Sequence, residues 1–361
     1  MIKGYNTLLV TGGAGFIGSN FIRYVFEKTE FKGKIVNIDK LTYAGNLENL
    51  TDIYEKYSGD RYFFEKVDIC DYNNLEKIFK KYNPDAIIHF AAESHVDRSI
   101  YGPKDFITTN IIGTFNLLEI ARKFWYNRYA VTRFHHISTD EVYGSLGETG
   151  YFYESTPYDP RSPYSASKAS SDHLVMAYFH TYGMNVVITN CSNNYGPYQF
   201  PEKLIPLTIL NILEQKPLPV YGDGKNVRDW LYVEDHCSGV WLVLNRGRAG
   251  EKYNIGGENE WANIDLVNKL CEIVAEKTGK PKDFYKRLIT FVKDRPGHDR
   301  RYAINCDKIK KELGWKQSVD FETGLEKTVS WYMNNQKWIE NVKSGQYKKW
   351  MELNYIKRDL G

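Results

Sequence analysis

No stretch of this 361-residue chain approaches the roughly 20 consecutive apolar residues of a membrane helix, so no spanning segment is expected. Cysteine is scarce. The five that occur, Cys70, Cys191, Cys237, Cys271 and Cys306, are scattered, odd in number and never paired as Cys-x-x-Cys. That argues against a disulfide framework or a zinc site and fits a reducing cytosol; no metal is expected. Neither sign of charge dominates. The net value is +3 with 42% apolar residues, which excludes a disordered chain and marks no broad nucleic-acid surface. Repeats, low-complexity tracts and flexible linkers are absent as well. Met1 to Tyr5 carry no signal-peptide core, since the first apolar run is short and leads straight into glycines. A cytoplasmic protein is the expectation.

What the chain does have is length, enough to bury a sizeable core in one large or two moderate domains. It also has a glycine loop near its start. Thr7 to Val10 is an apolar run readable as a buried strand, and Gly12, Gly15 and Gly18 follow at Gly-x-x-Gly-x-x-Gly spacing. Glycines there let the backbone turn tightly and approach a pyrophosphate at the N-terminus of the next helix, expected from about Ile17 to Glu27. A second apolar run, Lys34 to Ile38, ends at Asp39, 21 residues after Gly18. That is close to the separation of about 20 expected for a ribose-binding acid. A carboxylate at this point accepts bonds from ribose hydroxyls and repels a 2′-phosphate, which favours NAD over NADP.

Two short runs carry the chemistry. Thr139-Asp140-Glu141 offers a hydroxyl and two adjacent carboxylates directly after the apolar run Phe134 to Ser138. Tyr164 and Lys168 are four residues apart, hence on one helix face. A phenol beside an ammonium is expected to lose its proton more easily, which suits a base for oxidation of a sugar hydroxyl. Plain alcohol oxidation has no place for two further carboxylates. They suit an enzyme that also removes one proton and delivers another, as a dehydratase does.

Strand-like runs alternate with helical patterns: Tyr62–Val67, Ala86–Phe90, Phe134–Ser138 and Val186–Asn190, with helices expected at Leu75–Tyr82, about Asp105–Tyr126 and Tyr164–Tyr182. Such alternation implies a parallel sheet covered on both faces, with ligands beyond the carboxyl ends of its strands. The glycine loop, Asp39, Asp68, Ala91 to Ser94, Thr139 to Glu141 and Asn193-Asn194 all fall at such ends. After Asn190 the texture changes to proline-punctuated segments. We expect residues 1–190 to form the dinucleotide-binding domain with the reactive side chains, and 191–361 mainly a smaller substrate lobe with segments crossing back. His135 and His136 face opposite sides of a strand and are read as packing groups. Cys191 is read as structural. The run Trp331 to Tyr355 reads as an amphipathic closing segment.

These residues carry a resemblance that runs nearly end to end. Beside the glycine loop it includes Asp39 to Asn46, Ala91 to Ser99, Ser138 to Gly144, Cys191 to Tyr198, Arg228 to His236 and Asp294 to Tyr302. The chain resembles the nucleotide-sugar 4,6-dehydratases of the extended short-chain dehydrogenase/reductase family. The Thr-Asp-Glu run and the Arg295-Pro296-Gly297-His298 stretch are the more specific signals, since the glycine loop and Tyr-x-x-x-Lys are shared with epimerases.

The resemblance implies a Rossmann-type doubly wound parallel sheet with a smaller, interleaved C-terminal substrate-binding domain, and NAD as cofactor. It implies dTDP-glucose as substrate, with UDP-glucose or an epimerase reaction as alternatives, and a homodimer through the helices at about Asp105–Tyr126 and Ser162–Tyr182. In the roles it implies, Tyr164 takes the O4 proton during C4 oxidation while Lys168 holds the nicotinamide ribose and lowers the pKa of the tyrosine. Thr139 bonds near O4, Glu141 removes the C5 proton and Asp140 protonates the leaving C6 hydroxyl. The implied cofactor contacts are Gly12, Gly15, Phe16, Ile17, Gly18, Asp39, Lys40, Leu41, Thr42, Asp68, Ile69, Phe90, Ala91, Ala92, Ser94, Thr109, Tyr164, Lys168 and Asn194. The implied substrate contacts are Ser94, Thr139 to Glu141, Asn193, Lys203, Leu204, Pro219, Val220, Tyr221, Arg228, Asn263, Asp294, Arg295, Pro296, Gly297 and His298. Arg228 is the candidate for the diphosphate, since a guanidinium matches its geometry.

Overall fold

The computed structural model describes residues 4–343. Its first half supplies β1 (Thr7–Thr11), β2 (Lys34–Asp39), β3 (Tyr62–Lys66), β4 (Ala86–His89), β5 (Arg133–Thr139) and β6 (Val186–Cys191). The second half adds β7 (Asn193–Tyr195), β8 (Leu218–Tyr221), β9 (Val227–Tyr232), β10 (Glu251–Ile255), β11 (Glu260–Ala262) and β12 (Ile289–Val292). The main sheet has the order β10-β6-β5-β4-β1-β2-β3, and every pairing in it is parallel. Parallel neighbours need crossover connections, and the helices that make them cover both faces. The central strands are buried on both faces for that reason: Leu8, Leu9, Val10, Ile87, Ile88, Phe134, Val187 and Ile188 are fully buried. This is the parallel sheet expected from the alternating pattern and the Rossmann-type doubly wound fold that the resemblance implies.

The helix after β1, Phe16–Lys28, starts at Gly15, which has no side chain to cap it. The first backbone N–H groups of that helix therefore find no capping side chain. Gly12 sits at φ +68°, and a Cβ there would lie 2.7 Å from the backbone of Ala91. The position needs glycine on both counts.

The helix expected over Asp105–Tyr126 is not continuous. Pro103–Phe106 is α-helical, Ile107–Gly113 winds as a π-helix, and Thr114–Phe124 returns to α. The wider turn is held from outside. Asn110 accepts from the Glu93 N–H at 2.9 Å and donates to the Glu93 carbonyl at 3.0 Å and to Ser167 Oγ at 2.8 Å. Wide turns of this kind concentrate near functional sites. The helix expected from Leu75 starts at Tyr72, capped by Asp71, and stops at Asn83 with φ 42°, one residue ahead of Pro84.

The second half packs around its own cluster, including Ile209, Leu266, Leu270, Val274, Leu325 and Val329. It carries a three-stranded sheet, β11-β9-β7, and a two-stranded one, β12-β8. The chain also returns to the first core. β10 pairs with β6, and the helix Val233–Arg246 buries Val233, Val240, Val243 and Leu244 in the cluster that holds Phe21, Ile22 and Val25. Helices Phe321–Asn334 and Gln336–Val342 close the described chain, with Trp338 donating to Asn49 Oδ1 at 2.8 Å. The rest of the expected closing segment, up to Tyr355, lies outside the described residues. Among the described residues, no helix is long and apolar enough to cross a membrane.

Candidate active site

The carboxyl ends of β1, β2, β4 and β5 and the loops between the two halves enclose one cavity of about 420 Å³. At one end lie Gly12, Gly15, Phe16, Ile17 and Gly18. A side chain at Gly18 would run into the Gly12 carbonyl, so this cradle is shaped by missing Cβ atoms. Asp39 closes β2. Its carboxylate accepts from the N–H groups of Ala14 at 3.1 Å and Leu41 at 2.8 Å. Burial raises its pKa, and those two N–H groups oppose the rise. Leu41 itself does not line the cavity. It adopts φ 58°, uncommon for a side chain of its size, and in that conformation its N–H orients the acid. A bare helix start, a glycine cradle and an oriented acid together fit a dinucleotide, with the acid placed for ribose hydroxyls.

Further along the same cavity are Thr139, Asp140, Glu141, Tyr164 and Lys168. Thr139 ends β5, and its hydroxyl accepts from the Glu141 N–H at 3.3 Å, starting a short 3-10 turn that presents both acids. Tyr164 and Lys168 come from the helix Pro163–Tyr182. Pro163 opens it, and Ser162 and Ser165 cap it reciprocally. Spacing of three to four residues then turns Tyr164, Lys168 and Asp172 to one buried face.

The electrostatics separate the groups. Burial, then the nearby Glu141 and Asp229 carboxylates, push Asp140 well above the usual carboxylate range. Asp140 Oδ2 has no hydrogen-bond partner among the described residues. Burial also raises Glu141, but Arg295, Lys203 and Arg228 all pull it down. Tyr164 departs from the sequence expectation. Its phenol lies well above its ordinary value, through burial first and then Glu141, Cys191 and Asp140. The Lys168 ammonium donates to the Ile137 carbonyl at 2.8 Å. Burial lowers Lys168 to about 8, against the pull of Asp172.

The opposite end of the cavity is basic. Arg228 stacks its guanidinium 4.3 Å from the Tyr302 ring and donates to the carbonyls of Val227 at 2.8 Å and Asp299 at 3.0 Å. Arg295, Lys203, His298, Tyr221 and Asn263 line the same end. The structure thus brings together all the expected site residues except Leu41, Asp294, Pro296 and Gly297. Asp294 instead bonds His298 Nδ1 at 2.6 Å, and Gly297, at φ 65°, turns the loop that delivers Arg295 and His298. Arg300 and Arg301 are engaged by Asp223 and Glu260.

Sequence reasoning missed Asp97, Glu202 and Tyr302, which also line the cavity. Asp97 and Tyr302 lie inside the distinctive stretches, so a signal existed for them. Glu202 had none. It accepts from Arg98 Nε and from Tyr43 OH, each at 3.0 Å, tying the loop after β2 to the segment that carries Lys203.

The family model described as GDP-mannose 4,6 dehydratase matches residues 9–328. A dTDP-glucose 4,6-dehydratase of Salmonella typhimurium is 57% identical over 361 residues, covering 96% of this chain and 98% of that one. The chain belongs to the dTDP-glucose 4,6-dehydratase family. A crystal structure of the family's enzyme from Bacillus anthracis, in complex with NAD, aligns with TM-score 0.82 at 48% identity, covering 93% of this chain and 99% of that chain. The Streptomyces venezuelae enzyme with NAD and TYD bound aligns at 0.85 and 47% identity, covering 93% of this chain and 100% of that chain. Membership in this family agrees with the carboxylate pair beside Tyr164, which an epimerase does not need.

Proposed function

We propose that this chain dehydrates dTDP-glucose to dTDP-4-keto-6-deoxyglucose with tightly held NAD. The observation that carries the reading is the pair Asp140 and Glu141 in one cavity with Tyr164 and Lys168. When bound in the glycine cradle, NAD supplies a hydride acceptor for C4 oxidation and a donor for C6 reduction. Tyr164 takes the O4 proton, with Thr139 orienting that hydroxyl and Lys168 holding the nicotinamide ribose. The ketone acidifies the C5 proton, and Glu141 removes it. Asp140, kept protonated by burial and its acidic neighbours, delivers a proton to the departing C6 hydroxyl. Arg228, Arg295 and Lys203 supply the positive end that a diphosphate requires.

The test is incubation with dTDP-glucose and with UDP-glucose side by side, followed by mass analysis. Conversion of the thymidine sugar to a product lighter by one water supports the reading. A product of unchanged mass overturns it in favour of epimerisation, and faster turnover of the uridine sugar overturns the base assignment.

The assembly we propose is a homodimer. Ile107, Ile112 and Phe115, on the segment 103–124, are 41–47% exposed, and Tyr182 on the neighbouring long helix is 44% exposed. Two adjacent helices that leave an apolar face open favour a second copy of the chain. Light scattering of the pure protein should give twice the 42.0 kDa chain mass. The five cysteines form no disulfide, which favours a cytoplasmic location.

A further inference from the structure

Lys168 has more beneath it than the proposed reaction uses. Asp172 stands one helical turn further along the same buried face, and only 1% of it is exposed. Its Oδ2 accepts from Ser138 Oγ and Tyr158 OH, both at 2.8 Å, and from Asn190 Nδ2 at 3.5 Å. Its Oδ1 faces His136 Nε2 at 3.2 Å. The same Nε2 lies 3.4 Å from Lys168 Nζ. One imidazole nitrogen cannot donate to the carboxylate and accept from the ammonium at once. Placing the proton on Nε2 sets an N–H against Asp172 Oδ1, which has no other partner among the described residues, and leaves only a bare lone pair on Nδ1, which has none either. The other tautomer would strand a buried N–H and set a lone pair against a carboxylate, which costs more. A neutral ring donating to Asp172 is therefore the consistent assignment, and burial agrees by lowering His136 to about 4.

We propose that Asp172 is the fixed counter-ion of Lys168, acting by its charge across the His136 ring, and that it keeps the Lys168 ammonium charged in the wall of the cavity. Asp172 is a positioning residue, since it touches no reacting atom. The inference rests on the reading that Lys168 serves the oxidation step. The groups packed around the ammonium bear this out. His136 comes from β5, Cys191 from β6 and His89 from β4. His89 is fully buried, bonded to Thr11 and Thr114, and its pKa is lowered well below its ordinary value by burial, so it brings no charge. Cys191 is pushed up to about 12 by burial and is neutral. Burial alone would raise Asp172, yet its bond from His136 and the charge of Lys168 hold it below the usual range. Among the described residues it is the largest influence that favours the ammonium.

The sign follows directly. Lys168 works protonated, so its contribution is lost as pH rises through its pKa. Removing an opposite charge lowers that pKa, typically by about 1–3 units for a buried neighbour. The alkaline limb of single-turnover NADH formation should therefore move to lower pH by about 1–3 units in Asp172→Asn. Asp172→Glu, which restores the charge, should return the limb towards its original position whatever its absolute rate. His136→Gln keeps the carboxylate but removes the ring that holds it facing Lys168, so it should move the limb in the same direction by less, and it carries the test if Asp172→Asn does not fold. A uniform loss of rate with an unmoved limb, in whichever of the Asn and Gln variants folds, overturns the proposal and leaves Asp172 a packing residue. Lys168→Met separates the two claims. If it forms NADH normally, the assignment of Lys168 itself fails; if it is inactive while the limb stays put, only the counter-ion role fails.

Discussion

Replacing Glu141 by Gln divides the proposed reaction at its middle. The side chain keeps its size and loses its charge, so the cavity should keep its shape. Glu141 is the second-largest influence raising both Asp140 and Tyr164, after burial itself. Its neutralisation should lower the pKa of Tyr164, and the rising limb of C4 oxidation should shift to lower pH. Oxidation at a fixed neutral pH should then be unimpaired or faster. Removal of the C5 proton, in contrast, loses its base, and general acid–base catalysis is typically worth 10²–10⁴-fold, so turnover should fall by roughly that factor. Arg295, Lys203 and Arg228, which pull on the Glu141 carboxylate, would face a neutral amide and hold the substrate diphosphate no more weakly. Rapid mixing with dTDP-glucose in deuterated water should therefore build up NADH absorbance towards one equivalent per site, with no deuterium at C5. Dehydrated product at the wild-type rate, carrying normal deuterium, would refute Glu141 as the C5 base. Loss of the NADH signal would show instead that the acid serves the oxidation step.

In Tyr164→Phe the ring remains while the base is lost, so turnover should fall by roughly 10²–10⁴-fold with little change in KM; a near-normal rate would place the base elsewhere. Denaturing the purified protein should release NAD, and NADP as the main species would defeat the argument from Asp39. Gly12→Ala puts a methyl group 2.7 Å from the Ala91 backbone at φ +68°. Strain of about 1–3 kcal/mol should appear as lost NAD content and a lower Tm, and full retention of cofactor would show that the loop relaxes at no cost.

The features legible in the sequence were those whose cause is local. Thr7–Val10 followed by glycines is a strand, a turn and a helix start within a dozen residues, and Asp39 stands at a distance set by one helix and one strand. Thr139 to Glu141 and Tyr164 with Lys168 were legible for the same reason. The features that were hidden depend on partners far away. The π-helical turn at Ile107–Gly113 is held by Glu93 and Ser167, which no helical periodicity could register. Glu202 owes its place to Arg98, 104 residues earlier. The raised phenol of Tyr164 follows from burial and from the Glu141 carboxylate, which depend on how the cavity closes over the ring and not on its spacing from Lys168. β7 and β11, of three residues each, are too short for alternation to show.

The return of β10 and of the helix Val233–Arg246 to the first sheet bears on how this enzyme can be taken apart. Cutting the chain near residue 190 would bare the edge of β6 and peel a layer of apolar helix from Phe21, Ile22 and Val25. Neither portion is a free-standing cassette that recombination could swap without exposing a sticky strand. Heating should melt both cores together in a single calorimetric transition. Altering the sugar preference of this chain is then a matter of substitutions in the cavity wall and not of exchanging a lobe.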